Sequence, residues 1–419
     1  MKIPKSRILL MLLLVSFLFV GGGIVAERAG LLQPVKRPIA QWVRHHERPN
    51  IAWTTVDPGD VGLDREALDD LRSDLERWET RGFLVARGGS IAYEWYKDDF
   101  GPNLTSFTAS VAKAFTGSTA LALAMELGAV DLDDKVHRYV PEWRSDSVRA
   151  RARIRHLAYH SSGIENVSFV RGAQGELGGW KQAYYENPAG RFRIAIEHVP
   201  FQFEPGTRYE YSGVGYYVLA YILAGTLGER GHSDIKVLLK DRVMRPLGIP
   251  DDAWSISYGT SYQVDDRKLY ALGSGGTFTL RAAARVTDMV MRNGRWEDQR
   301  ILDGEVLARL LDPGSVPDHS PHPDRIRRPW GAPATGWYLN SEGAWPSLPR
   351  DAFLSVGDRH QILLAVPSWD LVAVRLGQAP LGEPFIPGAL GEVEDLFFAP
   401  LARAVRAPAP PRPSDPPTY

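Results

Sequence analysis

Ser106-Phe-Thr-Ala-Ser110-Val-Ala-Lys113-Ala-Phe-Thr-Gly117 leads into an apolar run, Ala114 to Leu127, with the composition of a buried helix. The stretch places a hydroxyl and an amine three residues apart at the start of that helix. Residues i and i+3 share a helix face, so the Lys113 amine is expected to reach the Ser110 oxygen. A helix N-terminus adds positive potential and free backbone N–H groups. A hydroxyl beside an amine in such surroundings is a candidate nucleophile with its activating base. A second copy of the pattern, Ser233-Asp-Ile-Lys236, reads as an ordinary helix surface, so the pattern alone decides nothing.

The segments on either side give the architecture. Leu68, Leu71, Leu75 and Trp78 recur at helical spacing between Arg65 and Glu79. Phe83 to Arg87, Gly88-Gly89 and Ile91 to Tyr96 read as a hairpin with a two-glycine turn. Helix signals then run to about Leu311. Three short strands follow, Ala352 to Ser355, Gln361 to Val366 and Leu371 to Leu376, split at Gly357-Asp358 and Pro367-Ser368. Glu392 to Val405 suggests a last helix. Strands at both ends and helices between them predict an α+β fold: an antiparallel sheet from the N- and C-terminal segments, flanked by helices, with a helical insertion lobe. One domain over 61–406 is expected, after a poorly ordered lead-in at 27–60 and before a proline-rich, disordered tail at 407–419.

Composition narrows the function. A chain of 419 residues, 44% hydrophobic and 24% charged, is that of a globular protein. A net charge of −1 gives no reason to expect nucleic acid as a partner. The absence of cysteine rules out a thiol nucleophile, thiolate metal sites and a disulfide framework. At the N-terminus Lys2, Lys5 and Arg7 precede an apolar run from Ile8 to Ala26. Residues 1–26 therefore read as a signal peptide or membrane anchor, with the domain exported to the periplasm or held outside the cytoplasmic membrane.

Two more clusters join the serine–lysine pair. Pro205-Gly-Thr-Arg-Tyr209-Glu-Tyr211-Ser-Gly213-Val-Gly-Tyr216 is rich in phenols, and a tyrosine beside such a pair can relay protons. Gly357-Asp-Arg-His360-Gln361 enters an apolar strand whose backbone N–H groups could face an oxyanion.

With these three clusters in this order, the chain resembles the serine β-lactamase-like hydrolases: class C β-lactamases and their esterase and 6-aminohexanoate-oligomer hydrolase relatives. The resemblance runs from about Gly82 to Gly377. It includes the opening hairpin at Leu84–Gly89, the segment Gly128 to Trp143, the Leu157 and His160-Ser-Ser-Gly163 stretch, and Arg245-Pro-Leu-Gly248. It implies a β-lactamase/transpeptidase-like fold, with Ser110 as nucleophile, Lys113 as its activating partner and Tyr211 as proton relay. It further implies an oxyanion hole from the backbone N–H groups of Ser110 and Gln361. Gly213 and His360 fall at substrate-binding positions.

Two departures bear on substrate. Gly213 stands where the family's Tyr-x-Asn motif has Asn, and Asp358-Arg359-His360 replaces its Lys-Thr-Gly or His-x-Gly element. Both lean the reading from β-lactam hydrolysis towards an esterase or amidase acting on small ester, amide or peptide substrates. The alternatives are a DD-peptidase or weak β-lactamase acting on cell-wall peptides, and a non-catalytic protein that holds penicillin-like ligands. No Gly-x-Ser-x-Gly elbow occurs, which argues against an α/β-hydrolase. His156 and His160 lack the glutamate of a His-Glu-x-x-His motif. The chemistry calls for no cofactor and no metal.

Overall fold

The computed structural model describes residues 49–167, 178–313, 331–378 and 393–406. The expectations for residues 1–26, for 27–48 of the lead-in and for the 407–419 tail lie outside them. No helix among the described residues is long and apolar enough to cross a membrane.

The core is a seven-stranded antiparallel sheet. Its first two strands are β1 (Thr80–Arg87) and β2 (Ser90–Tyr96). A second, three-stranded sheet takes β3 (Ser106–Ala109), β4 (Trp254–Ser255) and β7 (Gly276–Phe278). Two small ribbons pair β5 (Tyr262–Val264) with β6 (Arg267–Leu269), and β8 (Arg295–Trp296) with β9 (Gln299–Arg300). The C-terminal part supplies β10 (Ala332–Pro333), β11 (Tyr338–Leu339), β12 (Phe353–Gly357), β13 (Gln361–Val366) and β14 (Leu371–Gly377). The large sheet runs β10-β11-β12-β13-β14-β1-β2, so the two ends of the domain meet where β1 pairs with β14. This is the expected α+β architecture.

Both faces of the sheet are covered, which explains why its central strands read as unbroken apolar runs. Phe83, Val85, Ile362, Leu364 and Ala373 point to one side, into a core shared with Leu68, Leu71, Leu75, Phe397 and Leu401. Leu84, Ala86, Leu363, Ala365, Val372 and Val374 point to the other, against Leu280, Ala283 and the insertion lobe. Each of the leucine, isoleucine, valine and phenylalanine side chains stabilises the fold by roughly 1.5–3 kcal/mol through burial, and each alanine by less. The hairpin turn falls on Gly88 and Gly89, whose φ values of 60° and 80° are those a tight two-residue turn demands.

Three boundaries differ from expectation. The amphipathic helix ends at Arg77, and Glu79 turns with φ 51° into β1. The nucleophile helix is a π-helical turn over Lys113–Ser118 before it becomes an α-helix over Thr119–Glu126. Residues 49–60 are attached to the domain rather than a loose lead-in. Arg281 donates to the Ile51 carbonyl, Arg285 donates to that of Ala52, and Val56 N–H donates to Ile91.

Candidate active site

Strand β3 delivers Ser110 to the junction of the two sheets. Ala109, just before it, holds φ 47°, a left-handed conformation that costs an alanine energy and turns the chain sharply into the helix. Ser110 remains partly exposed while Val111 and all of Lys113–Ser118 are buried. The Gly213–Gly228 helix brings the tyrosine. Ser212, itself extended, caps it, its hydroxyl accepting from Gly215 N–H, and Tyr211 is the residue before this cap.

The structure brings the three expected side chains together. The Ser110 hydroxyl and the Tyr211 phenol lie 2.7 Å apart. Lys113 donates to Ser110 Oγ at 3.3 Å, to the Tyr211 oxygen at 2.5 Å and to the Gly273 carbonyl at 2.6 Å. Only 3% of Lys113 is exposed, and its ammonium also sits over the Tyr211 ring, 4.7 Å from the centroid. All three protons of an ammonium thus find acceptors, which suits Lys113 to hold negative charge on the phenol oxygen. Ser233, in the second Ser-x-x-Lys copy, is exposed beside Asp234, the cap of a short helix.

His160 is a member of this cluster that residue patterns left as bland. It is 3% exposed, stacks on Tyr211 at 4.4 Å between ring centroids, and lies 5.3 Å from the Tyr216 ring. Ser212 N–H donates to its Nδ1, which makes Nδ1 the acceptor. Burial, and after it the Lys113 charge, push the imidazole well below its ordinary pKa. A neutral ring packs against the phenol as a rigid wall. The other phenols have separate duties: Tyr216 donates to the Ala158 carbonyl, and Tyr209 meets Tyr338 at 3.4 Å.

The oxyanion side differs from expectation. Gln361 pairs with Gly357 across the β12–β13 hairpin, and its side-chain amide exchanges two hydrogen bonds with the Gly377 backbone. It is fully buried inside the sheet. The backbone that passes Ser110 is that of Gly357, the last residue of β12. A Cβ on Gly357 would lie 2.2 Å from the Thr108 carbonyl oxygen and 3.3 Å from the Ser110 nitrogen, a closeness only glycine permits. The reason is positional: strand register, invisible in a single motif, decides which amide approaches.

His360 does not line an open cleft. It is 3% exposed, with φ 50°, and burial followed by the nearby Arg375 charge lowers its pKa to about 4. Arg375 reaches this turn from β14, donating to the carbonyls of Arg359 and His360 at 2.7 Å each. Arg359 itself donates to the Gln378 carbonyl and covers the Phe107 ring. Gly213 is the first residue of its helix, and its N–H donates to Asn166 Oδ1 at 2.9 Å.

The chain is similar to several known proteins. The chain is 24% identical over 319 residues to the 6-aminohexanoate-dimer hydrolase of Paenarthrobacter ureafaciens, covering 75% of this chain and 76% of that protein. A candidate D-alanyl-D-alanine carboxypeptidase of Escherichia coli (strain K12) is 26% identical over 146 residues, or 34% of this chain. That match spans only 32% of the carboxypeptidase's length. A solved candidate β-lactamase from Bacteroides dorei DSM 17855 shares the fold with a TM-score of 0.59 at 18% identity, over 77% of this chain and 93% of that one. The Beta-lactamase family model matches residues 76–385, the span that holds the sheet, the Ser110–Lys113–Tyr211 cluster and the Gly357 turn, and the chain belongs to that family.

Proposed function

We propose that the protein is a serine hydrolase that cleaves small ester or amide substrates through an acyl-enzyme on Ser110. The observation that carries this reading is the closed triangle of Ser110 Oγ, Lys113 Nζ and Tyr211 OH. Ser110 Oγ bonds to the substrate carbonyl carbon while its proton passes to the Tyr211 oxygen, which enters the step as a phenolate and leaves it as a phenol. The Lys113 ammonium holds the charge that oxygen carries as the proton moves. Collapse breaks the bond to the leaving group, which takes the proton back from Tyr211. Water then adds to the acyl carbon by the same relay and releases Ser110.

For the tetrahedral oxyanion we propose the backbone N–H groups of Ser110 and Asp358, in place of Gln361. The crossing of Gly357 beside the Ser110 nitrogen supports this pair. The Paenarthrobacter relative is named as a hydrolase of a 6-aminohexanoate dimer, and an amino acid joined to its like through an amide favours amides among the substrates, alongside esters. Export is part of the proposal and is supported by the basic and apolar pattern of residues 2–26.

A fluorophosphonate probe tests the reaction. The wild type is expected to be labelled at Ser110, Ser110→Ala to lose the label, and Ser233→Ala to keep it. Labelling that survives Ser110→Ala rejects the mechanism, and a wild type that no acylating probe labels supports a ligand-binding protein instead.

A further inference from the structure

Position 213 is the point where this chain lacks a side chain, and the space beside it is not empty. Ser212 is extended, with φ −135° and ψ 111°, so residues 211 and 213 project to the same side. Tyr211 projects towards Ser110. A Cβ on Gly213 would therefore start to the same side, and the one atom it would find within 4 Å among the described residues is Asn166 Oδ1, at 3.7 Å.

Asn166 comes from a different part of the chain, the segment after His160-Ser-Ser-Gly163, 47 residues before Gly213. Its orientation is set by the backbone. Gly213 N–H can donate only to the oxygen of the Asn166 amide, and it does so at 2.9 Å. That leaves the Nδ2 group as the outward end, and no atom among the described residues accepts from it. Asn166 is partly exposed, so Nδ2 is available to a ligand.

We infer that Asn166 is a specificity-determining residue: its Nδ2 donates to a carbonyl oxygen of the substrate lying a few bonds from the scissile carbonyl. The substrate class is then peptide-like, an ester or amide of an N-acylamino acid rather than a plain fatty acid. This rests on the acyl-enzyme reading above. Gly213 is part of the device. Without a side chain at 213, Asn166 can lean on the helix N-terminus and present its amide where position 213 would otherwise have presented one.

The test compares two esters of equal length, the p-nitrophenyl esters of N-acetylglycine and of pentanoic acid, each kcat/KM divided by the ester's own hydroxide-catalysed rate. The wild type is expected to prefer the acetylglycyl ester by about tenfold, the scale of one hydrogen bond made in a largely desolvated site. Asn166→Asp keeps an acceptor for Gly213 N–H but removes the donor, and Asn166→Ala removes both. In each the ratio should fall to about one. Adding Gly213→Asn to Asn166→Ala should restore a preference of at least about threefold, because a side chain at 213 then has the vacated space.

A wild type without preference, or variants that keep the wild-type ratio, overturns the inference. Should Asn166→Ala not accumulate as folded protein, Asn166→Asp decides alone. Turnover of both esters by Ser110→Ala would instead overturn the acyl-enzyme reading, so the two failures are separable.

Discussion

Gly357 crosses Thr108 so tightly that a Cβ on residue 357 would overlap the Thr108 carbonyl oxygen at 2.2 Å. This contact locks β12 of the large sheet against β3 of the small one, and Ser110 is the second residue beyond it. The spacing between the nucleophile and the turn at Asp358 is thereby set by two backbones in contact, with no side chain between them to flex.

Gly357→Ala is expected to wedge these backbones apart. Overpacking of this kind costs typically 1–3 kcal/mol of stability. The displacement of the Asp358 amide from Ser110 should lower kcat by roughly 10²-fold or more, in line with loss of one oxyanion donor. Urea denaturation and steady-state kinetics on the same preparation separate the two effects. A folded Gly357→Ala protein with wild-type kcat would show that this turn takes no part in catalysis.

Lys113→Ala and Tyr211→Phe should each lower kcat/KM by about 10²–10⁴-fold, the range of general acid–base catalysis. Far-UV circular dichroism should be unchanged for Tyr211→Phe, which keeps the ring that stacks on His160. Near-full activity in Tyr211→Phe would make Tyr211 a packing residue.

Arg375 is fully buried, and its guanidinium donates to Thr80 Oγ1 and to the carbonyls of Trp78, Arg359 and His360. Burial alone lowers its pKa to about 9. A lysine at this position cannot span that fork. Arg375→Lys should therefore lose about 2–4 kcal/mol, one or two unsatisfied carbonyls' worth, read as a lower urea midpoint.

Acid should weaken the fold. His156 and His360 are both lowered to about 4, burial being the first cause in each, and His160 lies well below its ordinary value. These rings stay neutral in the native state while the unfolded chain takes up protons below about pH 6.5. Stability is therefore complete above that pH and is lost as pH falls from about 6.5 towards 4. Asp288, raised to about 6 by burial, acts in the opposite sense, since its folded form binds the extra proton between about pH 6 and 4. Three histidines outweigh one aspartate, so the urea midpoint should drop between pH 7 and pH 4.5. A midpoint that rises on acidification would contradict this balance.

Local chemistry was legible and long-range register was not. The Gly88-Gly89 turn, the Gln361–Val366 strand and the serine–lysine pair depend on neighbours in sequence, and each stands where residue type and spacing put it. Tyr211 was reachable through its resemblance, because the cap that positions it follows directly in the chain. The backbone that approaches Ser110 was not legible, because which strand of the β12–β13 hairpin passes β3 is a matter of long-range register. His160 was hidden for a related reason: a lone histidine reveals nothing until Tyr211 and Tyr216 close around it. Nor does composition betray that residues 49–60 are held, since their partners are guanidinium groups of Arg281 and Arg285 more than two hundred residues away.

The seam between β1 and β14 has a consequence for how the molecule comes into being. Thr80 and Arg375, hydrogen-bonded in the finished sheet, are 295 residues apart along the chain. The β1–β2 hairpin can form early, but one edge of β1 stays unpaired until nearly the whole domain has been synthesised. Topologies dominated by such distant pairings fold slowly, and a waiting apolar strand edge invites association with other chains. A chain terminated before Leu371 would keep its nucleophile helix complete and still be unable to close the sheet that carries it.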